Sequence, residues 1–417
     1  MIQNLRLQRF KNFQDAKLSL GNLTLLVGTN ASGKSNLRDA FRFLHGISRG
    51  YTLAEIIGEK WIEGGTLQWK GIRGGTREAT YLGAATFSME ATLSPNAGGG
   101  TYSIEVEAGA NGRPPRVVRE SLWGGAATYL FCSHGGDDPP EQGDPRYLFV
   151  RLPRDHWNRK HGKRLQFISN QPVLSQIVAH GETTGEVRAA AKRVLESLSS
   201  MRFLDLAPDA MRLPSLPGQD ILGDRGENLS SVLQAICESE ASKLAILEWI
   251  RELTPLDVMD FEFVPDQTGR ILVSFVEAGG QKTSAYSASD GTLRFLAMIA
   301  AMLGVKPARF YFFEELENGI HPTRLYLLLQ LIEQKVAGGR IQVAATSHSP
   351  QLLGFLGENA KGCAALVYRL SNQPDARIRR ILEIPEAERV LREQNLARLH
   401  ASGWLEDAVA FLEGGQA

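Results

Sequence analysis

The stretch Gly28-Thr-Asn-Ala-Ser-Gly33-Lys34-Ser35 constrains this chain more than any other. It follows an apolar run, Asn22 to Val27, of the kind buried on both faces of a parallel sheet, and it precedes a helical stretch, Ser35 to Leu44. A Gly-x-x-x-x-Gly-Lys-Ser string between a buried strand and a helix is a phosphate loop. Its glycines let successive N–H groups point inward as an anion nest, and the helix that follows turns its positive end to the same phosphates. The expected ligand is a nucleotide with Mg2+, held by Gly28, Asn30, Ser32, Gly33, Lys34, Ser35 and Asn36. Lys34 would neutralise the β- and γ-phosphates, and the Ser35 hydroxyl would bind the metal.

Downstream patterns supply a sheet for this loop. Strand Arg309 to Phe313, helix Thr323 to Val336 and strand Ile341 to Thr346 alternate as a parallel, doubly wound core requires. The first of these strands ends in Glu314 and Glu315, at the sheet edge where such folds bind ligands. Glu314 is the expected metal-side acid, and Glu315 the group that orients or deprotonates the attacking water. The second strand ends in Ser347-His348-Ser349, so a neutral His348 imidazole would reach the γ-phosphate or that water. Ser289 or Asp290 caps the helix Thr292 to Leu303.

The intervening segments read differently. Ile2 to Phe10 and Ala16 to Leu20 alternate imperfectly, like half-buried strands. Short β-like runs broken by glycine and proline clusters extend from about residue 64 to 169 and predict an antiparallel sheet. Helical periodicity takes over from about 171 to 253, as in Glu186 to Ser200 and Asn228 to Arg251. Val258 to Pro265 and Ile271 to Glu277 form a hairpin through Asp266-Gln-Thr-Gly269. The expected division is an N-terminal ATPase lobe at 1–170, a helical insertion at 171–255, a C-terminal lobe at 256–383 and a helical tail at 384–417.

Composition narrows the class. Among 417 residues, 46 basic side chains balance 46 acidic ones, which excludes a polycationic protein that binds nucleic acid through bulk charge. The longest apolar stretch, Phe295 to Val305, is far below the roughly 18–20 residues that span a bilayer, so no membrane partner is expected. The N-terminus lacks a basic-then-apolar signal, and Cys132, Cys237 and Cys363 are scattered. A cytoplasmic protein with reduced thiols is the expectation.

Taken in order, the phosphate loop, Ser287-Ala-Ser289-Asp290-Gly291-Thr292, Glu314-Glu-Leu-Glu317-Asn-Gly-Ile-His321-Pro and Thr346-Ser-His348-Ser-Pro350 resemble the ABC-type ATPases of the SMC, RecF and OLD group. The compact predicted ATPases called AAA-21 or AAA-15 are the most similar branch, and Phe10-Lys-Asn-Phe13 and Gly226-Glu-Asn-Leu-Ser230 fit them too. The resemblance implies a P-loop NTPase fold of the ABC-head type, with a mixed central sheet, an N-terminal antiparallel β region and a helical insertion. It implies ATP hydrolysis and a head-to-head homodimer with two shared sites. Ser289, Asp290 and Gly291 would then act as the signature that meets the partner's γ-phosphate, and Glu317 to His321 would lie at the seam.

Three departures qualify the resemblance. Glu314-Glu315-Leu316 replaces the usual Asp-Glu-Pro, the helical segment is too short for coiled-coil arms, and fewer than 40 residues follow Glu383, which leaves no room for a Toprim-like nuclease. The Q-loop glutamine is open among Gln68, Gln142 and Gln166. The resemblance therefore points to coupling with DNA or with a separately encoded effector such as a nuclease, in DNA repair or phage defence. An ATP-gated scaffold with negligible turnover is the alternative. A basic run with one tryptophan, Arg151 to Arg164, offers Arg154, Arg159, Lys160, Lys163 and Arg164 as DNA contacts.

Overall fold

The computed structural model describes residues 1–95, 99–109, 112–124, 129–133, 144–153, 162–253, 257–370, 373–384 and 409. The chain opens with β1 (Ile2–Phe10), β2 (Phe13–Ser19) and β3 (Leu23–Val27), then passes through the phosphate loop into α1 (Lys34–Ser48). A short α2 (Leu53–Ile57) and a hairpin of β4 (Lys60–Ile62) and β5 (Thr66–Trp69) follow. The next strands are β6 (Thr86–Leu93), β7 (Gly100–Glu107), β8 (Arg116–Trp123), β9 (Tyr129–Cys132), β10 (Tyr147–Leu152) and β11 (Lys163–Ile168). Together with β1 and β2 they form an eight-stranded sheet in the order β11-β10-β9-β8-β7-β6-β1-β2, antiparallel in its strand pairs. The expected antiparallel region is present, and the two opening strands join it rather than the sheet of β3.

The middle of the chain contributes α3 (Val173–Gln176), α4 (Gly185–Ser199), β12 (Met201–Leu204), α5 (Pro208–Met211), α6 (Leu229–Cys237) and α7 (Glu240–Leu253). Two local expectations change here. The helix expected over Asn228 to Arg251 is two helices, α6 and α7, parted at Glu238 and Ser239. The stretch expected to be helical also carries β12, a strand of the central sheet.

The remaining elements are β13 (Val258–Pro265), β14 (Ile271–Glu277), β15 (Lys282–Ser284), α8 (Asp290–Leu303), β16 (Phe310–Phe313), α9 (Pro322–Ala337), β17 (Gln342–Ser347), α10 (Glu358–Lys361), β18 (Ala365–Arg369) and β19 (Ala376–Arg380). β13, β14 and β15 make a small antiparallel sheet of their own. The central sheet has the order β12-β16-β17-β3-β18-β19; the first five strands run parallel and β19 closes one edge antiparallel.

Alternation along the central strands explains why they read as unbroken apolar runs. Leu23, Leu25, Val27, Tyr311, Phe313, Val343 and Ala345 face a core shared with α6, α7, α8 and α9. Leu26, Phe310, Phe312 and Ala344 face the other core, shared with α1, α4 and the eight-stranded sheet. A strand covered on both faces has no solvent side on which to place polar residues. The α1 helix is clamped in that second core, with the Phe41 ring tilted 4.8 Å from Phe310 and the Phe43 ring edge-on 5.4 Å from Phe87. This packing fixes the direction in which the helix presents its N-terminus.

Candidate nucleotide site

Parallel pairing of β3, β16 and β17 brings the carboxyl ends of all three strands to one edge, where Val27 lies beside Ser347 and Phe313 beside Ala345. The phosphate loop, Glu314-Glu315 and Ser347-His348 therefore share a rim. Within the loop the glycines are demanded by space. A Cβ on Gly28 would sit 2.1 Å from the Val367 carbonyl oxygen, and Gly33 caps α1 with a φ of 118°, a conformation that costs other residues strain.

Lys34 is 5% exposed, and its Nζ donates to the carbonyls of Gly28 at 2.6 Å and Thr29 at 2.8 Å. The same nitrogen lies 3.2 Å from His348 Nδ1, whose other ring nitrogen is 3.5 Å from Glu315 Oε1. Lys34, His348 and Glu315 thus form a continuous polar chain across 314 residues of sequence. Glu315 adopts a φ of 49°, in the left-handed region, and its N–H donates to Thr346 Oγ1 at 3.0 Å. A non-glycine residue held there costs on the order of 1–3 kcal/mol, a strain that clusters at functional sites. Asn318 Nδ2 donates to Glu315 Oε2 at 3.1 Å, which leaves the half-exposed carboxylate oriented toward the rim.

The side formed by Ser35 and Glu314 is equally organised. Glu314, mostly buried, forms an ion pair with Arg38 and accepts a hydrogen bond from the Ser35 side chain. Burial lifts its carboxyl above the ordinary carboxylate range, opposed by Arg38 and then Ser35, while Asp205 just beyond β12 pushes it further up. A hydroxyl and a carboxylate side by side are the oxygen donors that a hard divalent cation takes, with water completing its shell. Ser32 Oγ, in a residue only 2% exposed, has no hydrogen-bond partner among the described residues. An orphaned hydroxyl inside the loop fits a phosphate oxygen. Asn30 is exposed on the loop, and Asn36 is half-buried, its Nδ2 donating to Asn12 Oδ1 at 2.7 Å.

Ser289, Asp290 and Gly291 stand apart from this rim, at the N-terminus of α8. Ser289 caps the helix, accepting from the Thr292 N–H at 3.2 Å, and Asp290 accepts from Arg212 Nη2 at 2.6 Å. Ser289 and Asp290 are exposed. Gly291 is required by close approach, since a Cβ there would fall 2.2 Å from the Gly319 carbonyl oxygen. Glu317, two residues earlier, accepts from the His348 N–H at 2.7 Å. The turn Glu317 to His321 therefore bridges the signature-like segment and the histidine.

Several residues at the site were not singled out from the sequence. Asn12 and Lys11 form the turn between β1 and β2, and Asn12 backs the phosphate loop: a Cβ on Gly33 would meet it at 2.9 Å. Asp39, 1% exposed, accepts from Arg73 Nε at 3.0 Å and pairs with Lys11 Nζ at 3.2 Å. The Phe10-Lys-Asn-Phe13 string was the available signal for the first pair. The Gly226 to Ser230 string acts locally. Asn228 Oδ1 accepts from Gly223 N at 2.8 Å and Ser230 Oγ from Val273 N at 3.1 Å, which ties α6 to β14. Of the Q-loop candidates, Gln68 lies on β5, Gln166 on β11, and Gln142 outside the described residues.

In the basic run, Lys163 pairs with Glu182 at 2.6 Å, and the Arg164 guanidinium lies 3.9 Å from the centre of the Phe149 ring. Arg154, Arg159 and Lys160 lie outside the described residues. Cys132, Cys237 and Cys363 form no disulfide among the described residues. Among those residues no helix is long and apolar enough to cross a membrane, and no group of three or more His, Cys, Asp or Glu side chains is arranged to hold a metal.

Comparison with known proteins places these observations in a family. The family described as "AAA domain, putative AbiEii toxin, Type IV TA system" matches residues 23–113 and 166–354. No curated protein matches. Among solved structures, an SMC head bound to the C-terminal winged-helix domain of ScpA is 13% identical over 91% of this chain and 97% of its own, with a TM-score of 0.44. The SMC head domain from Thermotoga maritima is 13% identical over 91% of this chain and 98% of its own, with a TM-score of 0.38. An SMC head with an extended coiled coil, bound to the C-terminal domain of ScpA from Pyrococcus furiosus, is 12% identical over 94% of this chain and 98% of its own, at 0.46.

Proposed function

The chain belongs to this family of AAA domains, and from that premise we propose that it is an ATP-hydrolysing head whose two copies close on shared nucleotides. The observation that carries the reading is the run of contacts Lys34–His348–Glu315 at the mouth of the phosphate loop. In this reading Lys34 and the loop N–H groups hold the phosphates, and Ser35 and Glu314 hold the metal. That metal supplies charge neutralisation on the β- and γ-phosphates. Glu315 takes the proton from the attacking water, and His348, held between Lys34 and Glu315, keeps that water and the terminal phosphate in register.

The dimer belongs to the proposal as well. Ser289, Asp290 and Gly291, presented at an exposed helix N-terminus, would meet the terminal phosphate in the partner's loop. The bridge from Gly291 through Gly319 and Glu317 to the His348 backbone would let partner docking adjust the histidine. The division into a 1–170 lobe, a 171–255 insertion, a 256–383 lobe and a 384–417 tail stays part of this proposal. So does coupling to DNA, or to an effector of the kind that a toxin–antitoxin pair or a phage-defence system uses, inside the cytoplasm.

The test is turnover. Glu315→Gln is expected to bind a fluorescent ATP analogue normally and to release phosphate about 10²–10⁴-fold more slowly, the usual worth of a general base. Wild-type release in that variant removes Glu315 from the reaction. Dimerisation on ATP with no phosphate release from the wild-type protein favours the scaffold.

A further inference from the structure

Arg38 places a second cation on the side of the site assigned above to the metal. It lies one turn into α1, its guanidinium is largely buried, and it pairs with Glu314, the carboxylate assigned above to the metal. Two neighbouring atoms are left wanting. Arg38 Nε is buried with no hydrogen-bond partner among the described residues, and Asp39 Oδ1 is buried with none either. Arg38 Nη2 stands 3.8 Å from that Asp39 oxygen, roughly 1 Å beyond the usual hydrogen-bond length. The other Asp39 oxygen is already taken by Lys11 and Arg73.

A buried carboxylate with no counter-charge is strongly unfavourable. A guanidinium on Glu314 resolves this while no metal is bound. It also holds Glu314 Oε2, an oxygen for which a divalent cation would compete, and two cations on one carboxylate repel one another. The geometry offers the displaced guanidinium a waiting acceptor, the orphaned Asp39 oxygen.

We propose that Arg38 is a stand-in cation with two resting places, pairing with Glu314 in the metal-free head and closing onto Asp39 Oδ1 when a divalent cation takes Glu314. Arg38 is thereby a positioning residue that sets how much metal the site needs. It supplies Glu314 with a counter-charge, and in doing so it competes with the metal. The inference rests on the reading of Glu314 as the metal-side acid.

The experiment titrates Mg2+ into the full chain at a fixed concentration of a fluorescent ATP analogue, and separately titrates the analogue in EDTA. Arg38→Met is expected to lower the Mg2+ concentration for half-maximal binding by about tenfold, as loss of one charge-assisted hydrogen bond implies. Binding in EDTA should not tighten, because with no divalent cation to take its place the loss of Arg38 leaves Glu314 without a counter-charge. Arg38→Lys, which keeps the charge but loses the fork, should fall between the two, and it decides the question if Arg38→Met does not fold by circular dichroism. An unchanged or raised Mg2+ midpoint in the folded variants overturns the proposal. A wild-type chain that binds no nucleotide in either buffer would instead overturn the nucleotide reading on which it rests.

Discussion

Ser32 and Lys34 show how a loop can be shaped to receive an anion. Lys34 folds back onto the carbonyls of Gly28 and Thr29, so the ammonium is satisfied and poised, while the Ser32 hydroxyl is buried with nothing to bond among the described residues. A buried hydroxyl without a partner costs on the order of 1–3 kcal/mol, a penalty that a bound phosphate oxygen relieves. Lys34→Ala removes the part of this arrangement that carries a full positive charge to the phosphates. Titration with a fluorescent ATP analogue is expected to find affinity reduced by about 100-fold or more, the equivalent of roughly 3 kcal/mol. Undiminished affinity would mean that the nucleotide does not sit in this loop. Glu315 makes the same point on the chemical side, since its left-handed backbone is strain held in place by Thr346 and Asn318.

At the scale of elements, α8 and the turn after β16 are fitted against one another with no room to spare. Gly291→Ala would drive a methyl group into the Gly319 carbonyl oxygen, 2.2 Å away, so one of the two segments must move. The expected outcome is normal ATP binding by the monomer with loss of the ATP-dependent doubling of mass, read by light scattering on the Glu315→Gln background. Retained doubling would detach this helix from the dimer contact.

A second element-scale prediction concerns β8 and α3. Glu120, 1% exposed, accepts from the N–H groups of Val173 and Leu174 at 2.7 Å each and from the Tyr102 hydroxyl at 2.9 Å. Burial pushes its carboxyl up to about 7 in spite of these donors. The folded state therefore holds the proton more tightly than the unfolded chain. Stability from this group is greatest below about 4.5 and falls as pH rises through about 7, by a total of about 3 kcal/mol. His45 works in the opposite sense. Burial lowers it to about 4, so its contribution is present above 6.5 and is lost as pH falls toward 4. The two slopes oppose one another between about 4.5 and 6.5. Denaturant unfolding of Glu120→Gln across that window should show stability rising with pH more steeply than in the wild type. Parallel profiles would remove Glu120 as the source.

For the whole molecule the question is where a polyanion could dock on a chain of zero net charge. Lys163 and Arg164 are engaged on the protein, by Glu182 and by the Phe149 ring, and neither interaction prevents a phosphate from sharing the charge. Neutralising Arg154, Arg159, Lys160, Lys163 and Arg164 together is expected to weaken duplex binding and to reduce the salt slope by up to about four to five, near 0.9 for each phosphate no longer neutralised. An unchanged affinity and slope would move any DNA-binding surface elsewhere on the molecule.

What the sequence determined by itself was local and strongly patterned. The glycine spacing of the loop, the apolar runs of β3, β16 and β17, and the Glu314, Glu315 and His348 at their ends were all legible, because a strand buried on both faces must be apolar and must deliver its last residues to one edge. The helix capped by Ser289 and the hairpin of β13 and β14 were legible because each depends on neighbours a few residues apart. Tertiary structure alone decided what rests on distant pairs. The short strand β12 looks like a helix boundary until β16 supplies its hydrogen bonds, and β1 and β2 take their place only through β6. The Arg38–Glu314 pair joins residues 276 apart, and the Asn12 buttress, the Glu120 cap and the Gly291–Gly319 approach likewise join residues well separated along the chain. Side-chain periodicity records which face of an element is buried. It carries no record of which partner buries it, so the pairings that arm the site exist only once the sheets have closed.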